Sequence, residues 1–194
     1  QNFVDRVMEP KSQIEIGLIG KYVELHDSYK SITESMIHAG ARNEVKVNVR
    51  WIHSEALSVD NAGENLRGLD AVLVAPGFGS RGFEGKIEAV RIAREEGIPF
   101  LGICFGMQAA VIEYSRNVLQ LKGANSSEVE PDCAQPVIGL MSEQKQVTNM
   151  GGTMRLGACD CVLSEGSRAK EIYGKDSISE RHRHRYEFNN AYLE

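Results

Sequence analysis

Phe100-Leu101-Gly102-Ile103-Cys104-Phe105-Gly106-Met107-Gln108 runs from a short apolar segment through a glycine, a cysteine and a second glycine into a helical pattern. That order is the strand-turn-helix of a nucleophile elbow. A residue at so sharp a turn takes a strained backbone angle and needs small neighbours, which Gly102 and Gly106 supply. The Cys104 thiol is expected to be displayed at the start of a helix, where the aligned peptide dipoles favour the thiolate. Backbone N–H groups beside it are then available to a developing oxyanion. The competing reading is an inert, small hydrophobic side chain on an apolar strand, and the elbow pattern alone leaves both open.

On the N-terminal side, strands and helices alternate. Ile14 to Gly20 reads as a strand; Tyr29, Ile32, Met36 and Ala39 recur at helical spacing, with Gly40 expected to end the run. Val45, Val47, Val49 and Trp51 alternate with polar residues, and Ala71 to Ala75 is a wholly apolar strand stopped by Pro76-Gly77-Phe78-Gly79. A helix is expected over Glu84 to Glu96, closed by Gly97 and Pro99, and another after the elbow through Met107, Ala110, Val111, Tyr114 and Val118. This rhythm predicts an α/β fold with a mostly parallel central sheet and helices on both faces. Beyond residue 120 shorter strands are expected at Val137 to Leu140, Thr153 to Leu156, Cys161 to Leu163 and Arg183 to Phe188, as antiparallel additions. Residues 1–12 read as a polar linker and 13–194 as one domain. Ligands of such sheets gather at the carboxyl ends of the strands, where the Pro76 to Gly79 loop and the elbow both fall.

A chain of 194 residues with 42% hydrophobic content builds one well-cored domain, and a net charge of -5 argues against a nucleic-acid partner. No long apolar span or signal sequence is present, so no membrane association is expected. The four cysteines lack the spacing of a zinc site or disulfide scaffold, and Cys159-x-Cys161 is too cramped for a metal loop; the expectation is no metal and a reducing, cytoplasmic setting.

Several segments carry a resemblance. They are Gly20-Lys21-Tyr22-Val23-Glu24-Leu25 with Asp27 to Ser31, Pro76 to Gly82, the elbow, and Ala124-Asn125-Ser126-Ser127-Glu128. Further on come Met150 to Gly157 and Glu180-Arg181-His182-Arg183-His184-Arg185-Tyr186-Glu187. Together they resemble the glutamine amidotransferase domain of the CTP synthase family, class I glutaminases with a Cys-His-Glu triad and a flavodoxin-like sandwich. The resemblance implies hydrolysis of L-glutamine, with Cys104 as nucleophile and thioester former. Gly77, Phe105, Gly106, Met107, Gln108, Glu128 and Arg185 match the family's glutamine contacts, and Gly77, Phe78 and Phe105 its oxyanion positions. Arg185 has the chemistry to hold the substrate carboxylate and Glu128 its ammonium.

Two departures stand out. Phe105 replaces the usual leucine, which puts a larger ring beside the thioester site and could alter access. The family's His-Pro-Glu segment, which supplies the base, lies further along than Glu194, so the domain is expected to lack its C-terminal segment. The family's synthase domain, which uses ATP and Mg to aminate UTP under allosteric control by GTP, is not represented either, and no phosphate-binding G-x-x-x-x-G-K-[ST] run occurs. No cofactor is expected in this domain. Its implied partners are L-glutamine and the synthase domain. A catalytically silent glutamine-binding or partner-docking module, and another cysteine hydrolase on the same sandwich, remain alternatives.

Overall fold

The computed structural model describes residues 2–141 and 155–193. The chain divides into two compact units, Gln1–Ile138 with Phe188–Glu194, and Gly139–Glu187.

The first unit is built on four parallel strands: β1 (Ser12–Gly20), β2 (Val45–His53), β3 (Ala71–Val74) and β4 (Phe100–Gly102), in the order β2-β1-β3-β4. The register pairs Gly20 with His53, Ile19 with Val74, and Val74 with Gly102, so the strands end on one line and their following loops share one edge. The α-helices up to residue 117 are α1 (Phe3–Met8), α2 (Lys30–Asn43), α3 (Ala62–Leu66), α4 (Phe83–Glu96) and α5 (Phe105–Asn117). Apolar strands covered by helices explain why Leu18, Ile19, Val72 and Val74 are buried together with Phe83, Ile87, Phe105, Ala109 and Ile112.

Several expectations are refined. The stretch read as linker contains α1, whose Asn2 and Asp5 form a capping box and whose Phe3 ring meets His38 of α2 edge-on. Helix α2 passes through Gly40 and ends at Glu44, a non-glycine residue at φ 57°. Gly40 serves close packing instead of termination, because a Cβ there would lie 2.5 Å from the Val45 carbonyl oxygen. Helix α3 and strand β5 (Ala124–Ser126) carried too short a pattern to be read in advance.

Strand β5 pairs in parallel with β6 (Gln135–Leu140), which leads into the second unit; β9 (Tyr186–Phe188) returns from it. The second unit contains an antiparallel pair, β7 (Arg155–Val162) and β8 (Ser177–His184), with α6 (Arg168–Tyr173) between them in sequence. The expected strands at Thr153 to Leu156 and Cys161 to Leu163 are the two ends of β7, with residues 153 and 154 outside the described residues. Most of Met150 to Gly157 and all of Glu143 to Asn149 lie outside them as well.

Helices α4 and α5 are tied by a buried carboxylate. Glu113 is 1% exposed and receives bonds from Arg94 Nε (3.0 Å) and Nη2 (2.8 Å) and from Asn117 Nδ2 (3.0 Å). Removing it strands a partly buried guanidinium against the helix pair. Glu113→Ala is expected to lose about 2–3 kcal/mol in urea unfolding, at the low end for a broken buried pair because Arg94 keeps access to water.

Candidate active site

Cys104 occupies the turn between β4 and α5 with φ 54° and ψ -106°, one of three non-glycine residues at positive φ among the described residues. It is exposed, as expected of an elbow. The turn is held because Ile103 N–H donates to the Val74 carbonyl (3.1 Å) and Gly106 N–H to the Ile103 carbonyl (2.9 Å). The two glycines matter through contact as well as strain. A Cβ on Gly102 would sit 2.6 Å from the Gly106 backbone, and one on Gly106 2.1 Å from the Val74 carbonyl oxygen.

The ready thiolate expected of a helix start is not what this environment favours. Protein atoms crowd the thiol enough that desolvation pushes its pKa up. The Phe105 N–H bond and the Lys86 ammonium oppose this, and the Glu128 carboxylate adds to it. Nor does the Phe105 ring change access to the sulfur: it is 1% exposed and packs on Phe83, with ring centroids 4.3 Å apart. Gly106 and Gln108 are buried with it, while Met107 is exposed on the first turn of α5.

The loop after β3 can be followed group by group. Ala75 N–H donates to the Ile19 carbonyl; the carbonyls of Ala75 and Pro76 accept from Lys86 Nζ at 2.6 and 3.3 Å; that of Phe78 accepts from Lys21 Nζ. Gly79 N–H donates to Glu128 Oε1 at 3.0 Å. The N–H groups of Gly77 and Phe78 have no acceptor among the described residues. Gly77 itself abuts the elbow, since a Cβ there would lie 3.5 Å from Phe105 Cδ1. Two uncommitted N–H groups on a loop that abuts the residue after a displayed thiol are the raw material of an oxyanion site.

Glu128 is brought to this loop by its own segment. Its N–H donates to Ser126 Oγ (3.2 Å) and Ser127 N–H to the Ile138 carbonyl (3.0 Å), while Asn125 Nδ2 donates to Glu130 Oε2 (2.8 Å). Arg185 lies in the second unit at the bend between β8 and β9, half-buried, its carbonyl accepting from Met141 N–H at 3.0 Å. The first unit's histidines are engaged elsewhere: His26 stacks on Trp51, His38 meets Phe3, and His53 accepts from Glu55 N–H. Among the described residues no cluster of three or more His, Cys, Asp or Glu side chains forms a metal centre.

Two lysines beneath the loop went unread in the sequence. Lys86 is fully buried and Lys21 6% exposed. Burial, helped by the Lys21 charge and opposed by Cys104, pulls the Lys86 pKa down to about 8. The signal was present, because Lys86 falls between Phe83 and Val90 on the apolar stripe of α4, where a charge is out of pattern.

Comparison with known proteins adds an independent line. The family described as glutamine amidotransferase class-I matches residues 24–194. The CTP synthase of Christiangramia forsetii is 65% identical over 192 residues, covering 99% of this chain and 35% of that protein. That of Methanocaldococcus jannaschii is 54% identical over 200 residues, covering 100% and 37%. The chain thus spans about a third of the length of these relatives. A solved glutaminase domain of Trypanosoma brucei CTPS with bound acivicin superposes with TM-score 0.85 at 38% identity, covering 93% of this chain and 70% of that one.

Proposed function

The chain belongs to the class I glutamine amidotransferases, and among them to the glutaminase domains of CTP synthase; from that membership we propose that Cys104 hydrolyses L-glutamine to glutamate and ammonia. The observation that carries the proposal is the exposed thiol at φ 54°, with the uncommitted N–H groups of Gly77 and Phe78 on the loop that abuts the next residue, Phe105. The thiolate attacks the γ-carboxamide carbon, and the oxygen charge that develops falls to the N–H groups of Phe105, Gly77 and Phe78. Ammonia leaves as the thioester forms, and water then releases glutamate. One acid–base group is needed to take the thiol proton, give it to the leaving amide nitrogen so that ammonia departs, and then activate the water; the family's His-Pro-Glu segment is its source. Glu128 Oε1 is taken by Gly79, which leaves Oε2 to accept the substrate ammonium, while the Arg185 guanidinium suits its carboxylate. Residues 13–194 act as the domain. The ammonia passes to a synthase domain that aminates UTP with ATP and responds to GTP, in the reducing cytoplasm that four free cysteines suit.

Treating the protein with an electrophilic glutamine analogue and weighing it tests this. A single adduct, absent in Cys104→Ala, is expected. Two features favour a silent glutamine-binding module instead: the Cys104 pKa is raised, and the first unit's histidines are engaged elsewhere. Analogue binding without an adduct at pH 7, in a protein supplied with the His-Pro-Glu segment, would establish that second reading.

Arg185→Ala is expected to raise KM for glutamine about 10- to 100-fold, the worth of a charge-assisted pair. Alkylation of Cys104 by iodoacetamide should stay within about twofold, since that reagent has no carboxylate. Equal losses in both assays would assign Arg185 to folding.

A further inference from the structure

We propose that Lys86 is a positioning residue for the oxyanion site: by holding the carbonyls of Ala75 and Pro76, its buried ammonium aims the Gly77 N–H at the tetrahedral oxygen formed on Cys104. The inference rests on the glutaminase reading and goes beyond it, since nothing in that chemistry requires a lysine. The Pro76 carbonyl and the Gly77 N–H belong to one planar peptide unit, and among the described residues no peptide bond is cis, so the two groups point in opposite directions. Fixing the carbonyl on Lys86 Nζ therefore turns the N–H away from the lysine. The next-but-one peptide shows the same device closed at both ends. The Phe78 carbonyl takes Lys21, and the Gly79 N–H of the same unit takes Glu128. Among the described residues of this loop, the Pro76–Gly77 unit alone is anchored at its oxygen with its N–H left uncommitted. Lys86 also reaches the other half of the site, with Nζ 5.3 Å from the Phe105 ring centroid. A fully buried ammonium is costly unless its partners require it, and its depressed pKa records that cost.

The test compares two reagents on the full 194-residue chain. The aldehyde analogue of glutamine accepts the Cys104 thiolate at carbon; the carbonyl pair moves to oxygen, no group leaves, and the adduct carries the tetrahedral oxygen. Iodoacetamide alkylates the same sulfur by displacing iodide and forms no such oxygen. Lys86→Met, which keeps the buried volume, also removes the ammonium that supports the Cys104 thiolate, so alkylation slows somewhat; aldehyde binding is expected to weaken about tenfold beyond that loss. This further weakening is smaller than the roughly 10²-fold cost of deleting an oxyanion donor, because the N–H is misaimed rather than removed. Lys86→Gln, which retains an N–H donor, should recover part of the loss, and it carries the comparison if the Met variant does not fold. Unchanged aldehyde binding, or equal losses with both reagents, overturns the role of Lys86 while leaving the glutaminase reading intact. A wild-type chain that alkylates but never binds the aldehyde overturns the glutaminase reading, and the role of Lys86 falls with it.

Discussion

Cys104→Ala is expected to abolish glutamine hydrolysis, by about 10⁴-fold or more in kcat, with glutamine binding nearly intact. The size follows from chemistry: without the sulfur no thioester forms, and the remaining N–H groups can stabilise only the slow direct attack of water. Binding is spared because Glu128 and Arg185 contact the other end of the amino acid under the proposed reading. Ammonia release coupled to a dehydrogenase measures the first quantity, and calorimetric titration with glutamine the second. The wild-type thiol carries a further expectation. Desolvation raises its pKa above the ordinary value of 9.0, so the rate of iodoacetamide alkylation should still be climbing at pH 9. A plateau below pH 8 would show a stabilising charge that the crowding around Cys104 does not predict.

Gly106→Ala should produce a large loss of stability, about 3 kcal/mol or more in urea unfolding. Its Cβ would lie 2.1 Å from the Val74 carbonyl oxygen. That atom is main chain of a central strand and cannot rotate aside, so α5 must lift from β3 and carry Cys104 with it. Gly97→Ala is the control. Gly97 has φ 68° and open space around its Cβ position, so its cost is conformational, about 1–2 kcal/mol. Similar losses at the two positions would show that the elbow is looser than its contacts imply.

The elbow and the parallel sheet were legible in the sequence because both rest on local patterns. Apolar runs of strand length, glycines flanking Cys104 and helical spacing in α4 and α5 each read within about a dozen residues. Gly40 misled for the same reason: a glycine near the end of a helical pattern suggests a stop, while its true constraint is the Val45 carbonyl 2.5 Å away on the following strand. Phe105 was read as a ring at the mouth of the site because its sequence neighbour is the nucleophile. The helix instead turns that ring inward against Phe83.

Local patterning was thus enough to establish the α/β class and the turn that displays Cys104. Tertiary packing settled the rest: a crowded thiol held less acidic than a free cysteine, Glu128 bound to the Gly79 amide, and Lys21 and Lys86 gripping the carbonyls of the loop between them. Charge in a protein interior depends on which dipoles and ions lie within a few ångströms, and those neighbours come from segments distant along the chain that only the closed fold brings together.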